Sequence, residues 1–418
     1  MFDAAAGSYA ESSYIDGIAN LGTSENARIV ILRDANDSVS SLTVGNTANK
    51  WTELRLTSGS ISGSGTAQLL NTANAHGILT IDGADVTVNA MNAPNGNIAG
   101  SVDLNVNSGS FTVTTWTDFG NSASAVVKVN QTGGTVEVGK VRSGTNSGNG
   151  NFWFGRANSG TATYNLSNGT FTSYGSLRLG STSNTTGIFN QSGGTVNVTG
   201  NQDFSFGYDS GSSGKYYQTG GTLNTQRNID LRRSGAVLDI GGAVTATAAG
   251  IGVNIGTTSG SSGEVILREG GILTTSYIKK GSGTASVTLY GGTLRANTAN
   301  ANFLENLGTV AIGASGVTFD TDYAIGFTGT TFSVPVGITA FTLTGTGSLD
   351  LSGVTIDLAA MPTAPYTIAM AAGSGSFIGC PALTVNGEPL SGGWKVVKSA
   401  DGKKITIKRR KGVMIIAY

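Results

Sequence analysis

The chain has 418 residues, with 12% charged, 39% hydrophobic, 64 glycines and only 6 prolines. Charge stands at about half its usual share and glycine at about twice. That composition excludes a charge-rich disordered chain, a collagen with its Gly-X-Y period and a helical protein built on Ala, Leu, Glu and Lys. Lys+Arg and Asp+Glu balance at 25 each. Basic residues crowd into 395–411, opposed only by Asp401, so the remainder is mildly acidic, which argues against nucleic acid as a partner. One histidine, His76, and one cysteine, Cys380, exclude a Cys/His zinc site and an internal disulfide; no metal or cofactor is expected. No apolar run is long enough for a transmembrane helix. The opening MFDAAAGSYAESSY lacks a basic n-region and an apolar h-region, so no signal peptide is expected in this chain.

Residues 1–40 read as an N-terminal cap with a first strand at IVILRD (29–34). From 41 to 300 the chain repeats. QTGGTVEV (131–138), QSGGTVNV (191–198), QTGGTLNT (218–225) and GGTLRA (291–296) are related phrases. Anchored on Gly59, Ala84, Gly109, Gly134, Gly169, Gly194, Gly221, Gly242, Gly271 and Gly292, the steps are 25, 25, 25, 35, 25, 27, 21, 29 and 21. A second glycine, at Gly45, Gly120, Gly155, Gly180 and Gly207, precedes its anchor by 14 residues.

Two columns are apolar throughout. Two residues after the anchor lie Ile61, Val86, Phe111, Val136, Phe171, Val196, Leu223, Val244, Leu273 and Leu294. Five before it lie Leu54, Leu79, Leu104, Val129, Tyr164, Phe189, Tyr216, Val237, Ile266 and Val287. Their neighbours are mostly Ser, Thr, Asn or Gln, the period-two alternation of half-buried strands. A propeller blade needs about 40 residues. Three short strands per coil, each stacked about 4.8 Å above its equivalent, fit the 25-residue step. The expected fold is therefore all-β, a right-handed parallel β-helix (β-solenoid) of roughly 12–15 coils, about 60–70 Å long. Gln131, Gln191 and Gln218 share one column and read as a stacked amide ladder. The 35-residue step places an outside loop at 141–151.

Residues 301–360 read as less regular coils. From 361 the style changes: MPTAP concentrates proline, and GWKVVKS and KKITIKR flank Asp401-Gly402, a hairpin signal. Residues 361–418 are read as a C-terminal β cap, its lysines blocking edge-to-edge pairing, with an anionic glycan or lipid surface as the alternative partner for the basic run. GVMIIAY at the end is too short to span a membrane.

LSNGT (166–170), NQSGGTVNV (190–198) and YGGTLRA (290–296) resemble the autotransporter-associated β-strand repeats of large bacterial secreted and surface proteins. GASGVTFDTDYAI (313–325) is similar to that family's glycine-rich stretch, with Asp322-Tyr323 replacing its usual Asn-Gly. LTGTGSLDLSG (343–353) resembles its strand ending in Leu-Ser-Gly. The likeness spans about 41–360. It implies a parallel β-helix and an extracellular or outer-surface location; no translocating membrane barrel follows, since about 60 residues remain.

Catalytic signals are sparse. Glycoside hydrolysis needs a carboxylate pair at a set separation, yet Asp118, Glu137, Asp203, Asp209, Asp230, Asp239, Glu264 and Glu269 are scattered. Asp320 and Asp322, two apart, read as one strand face, and the resemblance makes them a repeat feature. His76-Gly77 lacks the companions of a polygalacturonase site. No catalytic residue is assigned and the chain reads as a non-enzyme: an adhesin-like stalk. A glycan-binding module and a polysaccharide-degrading enzyme are the alternatives. Alternation with inward Phe152 and Phe154 turns Trp153 outward, in one column with Arg178 and Ser205 and near Arg156, Trp116 and Tyr208. Trp153, Arg156 and Arg178 are the candidate contact for an extracellular polysaccharide, with Lys140 and Arg142 across the loop.

Overall fold

The computed structural model describes residues 36–94, 96–140, 151–157 and 159–410, together with strand backbone at 2–3, 8–9 and 27–31. It is all-β, a parallel β-solenoid of about 13 turns with equivalent strands about 25 residues apart among the described residues. Most of the N-terminal cap, the 141–150 segment and the GVMIIAY tail lie outside the described residues. The chain divides into two compact units, Met1–Leu238 and Asp239–Tyr418.

In the first unit each regular turn has three strands. A three-residue face comprises Thr117–Phe119, Phe152–Phe154, Leu177–Leu179, Phe204–Phe206 and Ile229–Leu231. A longer face comprises Ala125–Gln131, Thr161–Leu166, Thr186–Gln191 and Ser213–Gln218. A third comprises Thr135–Val138, Thr170–Ser173, Thr195–Val198 and Thr222–Thr225. All pair in parallel with their equivalents, and the register stacks Val136, Phe171, Val196 and Leu223 in one column. Val129, Tyr164, Phe189 and Tyr216 stack in the other. Both columns are buried. Tyr164 and Phe189 lie ring on ring at 4.6 Å, and Phe189 and Tyr216 at 5.0 Å, a geometry that adds to the burial itself.

Corners set the pitch. Gly180 has φ +70, and a Cβ there would come within 2.2 Å of the Ser213 carbonyl. Only glycine meets both demands. The glutamine column is internal: Gln131, Gln191 and Gln218 are all buried. Gln191 Oε1 accepts from the Tyr216 hydroxyl (2.7 Å) and from Gln218 Nε2 (3.1 Å), while its Nε2 donates to the Gly194 and Thr222 carbonyls. Leu166 occupies the same column between Gln131 and Gln191, so the amide ladder is interrupted there.

In the second unit one face comprises Ala243–Ala246, Ile272–Thr275, Thr293–Ala296, Val317–Asp320 and Phe341–Thr344. Val244, Leu273, Leu294, Phe319 and Leu343 share its inner column. The other expected column is off by one at two places. Leu238 and Val265 are buried and Val237 and Ile266 are half-exposed; Val265, not Ile266, pairs with Val287. A one-residue change in corner length flips every side chain on a strand. Parallel pairing runs past the expected boundary at 360: Ser376–Ile378 lies on Ser348–Asp350, and Ala382–Val385 on Thr355–Leu358.

The cap is antiparallel. Tyr366–Ala371 pairs with Lys404–Arg409, which pairs with Trp394–Lys398. The hairpin turns through Gly402 at φ +69, as the Asp-Gly signal requires. Trp394–Lys398 is an edge among the described residues and carries exposed Lys395 and Lys398, a known guard against edge-to-edge pairing.

Candidate functional site: a cation–aromatic row

The three-residue face of the first unit builds the site. Phe152 and Phe154 are buried, which turns Trp153 outward. The register aligns Asp118, Trp153, Arg178, Ser205 and Asp230 across five turns. The expected column is therefore present, and Arg156 and Tyr208 enter it from the adjoining corners.

Two guanidinium groups sit on the Trp153 ring, Arg156 at 4.2 Å and Arg178 at 5.7 Å from its centroid. Arg178 also lies over Tyr208 at 3.6 Å, and Arg232 over the same ring at 4.5 Å. The result is an alternating row, Arg156, Trp153, Arg178, Tyr208, Arg232. It spans about 15 Å at the usual strand spacing. Each such contact contributes about 0.5–1 kcal/mol when exposed and about 2 when desolvated.

The arginines differ in how their charge is met. Arg156 donates to Asp118, a carboxylate only 1% exposed. Arg178 forms no ion pair among the described residues; burial lowers its pKa, partly offset by Tyr208 and Asp209. A guanidinium keeps its charge at neutral pH regardless. Asp118 Oδ1 and Trp153 Nε1 are buried with no hydrogen-bond partner. Of the flanking cations, Lys140 is paired to Glu137, and Arg142 lies outside the described residues.

Arg232 was absent from the sequence reading although a signal existed. The second glycine column runs Gly155, Gly180, Gly207, and one more 25-residue step lands on Arg232, where an arginine replaces the glycine.

The acidic residues weighed for catalysis are mostly engaged by neighbouring side chains. Arg268 grips Asp239 with two hydrogen bonds of 2.6 Å. Asp320 accepts from Arg295 (2.7 Å) and Thr344 (3.0 Å). The strand stops at Asp320, so alternation does not carry Asp322 onto the same face; Asp322 instead accepts from the Thr346 backbone and hydroxyl. His76 contacts Asp103 at 2.6 Å. Among the described residues no group of three or more His, Cys, Asp or Glu is placed to hold a metal ion, and no helix is long and apolar enough to cross a membrane. Comparison with protein-family models, curated proteins and solved structures finds no match.

Proposed function

We propose that this chain is a non-catalytic, adhesin-like scaffold of the extracellular or outer-surface kind, and that its cation–aromatic row contacts an acidic polysaccharide. One observation carries the reading: Arg178 is half-buried between two aromatic rings with no carboxylate paired to it among the described residues. A charge stripped of part of its water, with Tyr208 and Asp209 offsetting only part of the loss, is costly. A ligand carboxylate or sulfate would supply the missing partner through the guanidinium's fork of donors. Trp153 and Tyr208 hold that fork in one orientation, so little side-chain entropy is lost on binding. The surface location rests on the repeat resemblance.

A glycan array tests it. Wild type is expected to bind sulfated or uronate-containing glycans, and Trp153→Ala and Arg178→Gln to lose that binding. No binding to any acidic glycan, or binding unchanged in both variants, would sink the proposal. Release of reducing or unsaturated ends from a polysaccharide panel would overturn the non-catalytic part.

A further inference from the structure

A second polar feature lies on a different face of the first unit, the longer one. Asn105, Asn130, Asn165 and Asn190 occupy one outward column. Asn190 Nδ2 donates to Asn165 Oδ1 (2.9 Å), Asn165 Nδ2 to Asn130 Oδ1 (2.9 Å) and Asn130 Nδ2 to Asn105 Oδ1 (3.0 Å). Asn105 Nδ2 donates to Thr80 Oγ1 (3.3 Å), which donates to Glu53 Oε1 (2.9 Å). A carboxylate accepts and does not donate, so Glu53 sets the direction of the whole chain. Bonds aligned in series polarise one another.

Beside this row runs a second of exposed hydroxyls, Thr132, Ser167, Ser192 and Thr219, in the same register. The two rows wall a groove of about 290 Å³, with the strand at Leu166 and Gln191, whose side chains turn inward, running between them. The next residue in the asparagine column is Tyr217, half-buried at the groove's end. Tyr217 has no amide, so the amide chain ends at Asn190.

We propose that this groove binds an uncharged polysaccharide chain, extended along the stacking direction. An amide inside the ladder spends one hydrogen and one lone pair on its neighbours and keeps one of each. A sugar hydroxyl is likewise donor and acceptor, so each rung offers it both partners. An anion would meet acceptors as often as donors, and the groove lining holds no charged side chain. The rungs recur at about 4.8 Å, close to the advance of one sugar ring in an extended chain. Tyr217 offers a ring face to the last sugar.

Affinity electrophoresis through gels holding mixed-linkage β-glucan, xyloglucan or galactomannan tests this, with heparin and polygalacturonate as acidic probes. At least one uncharged polymer is expected to retard the wild type. Tyr217→Ala and Ser167→Leu should weaken that retardation tenfold or more, with unchanged far-UV CD and unfolding midpoint. Trp153→Ala should leave it intact while abolishing retardation by acidic polymers, so this site and the cation–aromatic row fail separately. The inference is overturned if no uncharged polymer retards the protein, or if Tyr217→Ala and Ser167→Leu behave as wild type.

Discussion

Replacing Val196 with aspartate is a direct probe of the stacked interior. Val196 is 0% exposed and lies in register between Phe171 and Leu223. Losing the valine's burial costs about 1.5–3 kcal/mol. The new carboxyl has no designed partner, and burial raises such a pKa by up to ~3–5 units. At about 1.4 kcal/mol per unit, and with only ~3 units separating the unfolded pKa from neutrality, the penalty at pH 7 is ~4 kcal/mol. Its sign with pH follows from linkage: the folded-state pKa lies above the unfolded value near 3.9, so the folded form holds the proton more tightly. Stability relative to wild type therefore falls as pH rises from about 4 through the folded pKa, and part of the loss returns in acid. Asn197 is the control. It is half-exposed, and its Oδ1 accepts from Asn224 Nδ2 at 3.0 Å, a role aspartate keeps, so Asn197→Asp should change stability by about 0.5 kcal/mol or less. Urea unfolding followed by CD at pH 4 and pH 7 measures both. Equal midpoints for the two variants, or a Val196→Asp midpoint whose difference from wild type ignores pH, would refute the column assignment.

Gln191→Leu should destabilise by about 1–3 kcal/mol, since the buried Tyr216 hydroxyl loses its acceptor and the Gln218 amide keeps the Gly221 carbonyl but loses Gln191; denaturant midpoints check it, and a neutral substitution would show that the amides contribute nothing. Burial pushes the Glu137 carboxyl up, but hydrogen bonds from Lys140 and the Tyr174 hydroxyl outweigh it and leave its pKa below the ordinary value. Tyr174→Phe should raise the Glu137 titration midpoint in a side-chain NMR titration, and an unmoved midpoint contradicts that balance. Arg178→Lys should not restore acidic-glycan binding, because an ammonium lacks the flat fork that Trp153 and Tyr208 hold; full binding on the array would remove the geometric part of the argument.

Much of the fold was legible because two periods coincide: alternation every two residues and recurrence about every 25. Where both hold, as at Val136, Phe171 and Val196, the column follows directly. Where corner length changed, at Val237 and Ile266, the anchor glycine no longer measured the distance to the strand, and the inner side chain was the neighbour. The end of the parallel coils was misplaced at 360 because proline and lysine mark a change of composition, while strands 376–378 and 382–385 keep stacking through backbone hydrogen bonds that composition does not record. The site was half legible. Alternation turned Trp153 outward and the column supplied Arg178, but Arg232 lies one step beyond Gly207, where the glycine column had ended. The asparagine ladder stands four residues before Gly109, Gly134, Gly169 and Gly194. It was lost among the polar neighbours because Asn on an outward strand face looks like ordinary solvated surface until its amides are seen bonded to one another.

Recognition of an anion by the cation–aromatic row through Arg178 is the proposal on which the functional reading rests. Isothermal titration of a sulfated oligosaccharide that scores on the array, into wild type, Arg178→Gln and Asn197→Asp, tests it most directly. Arg178→Gln should weaken the Kd at least tenfold, about 1.4 kcal/mol, and Asn197→Asp should leave it untouched. The same Kd for all three proteins would contradict it.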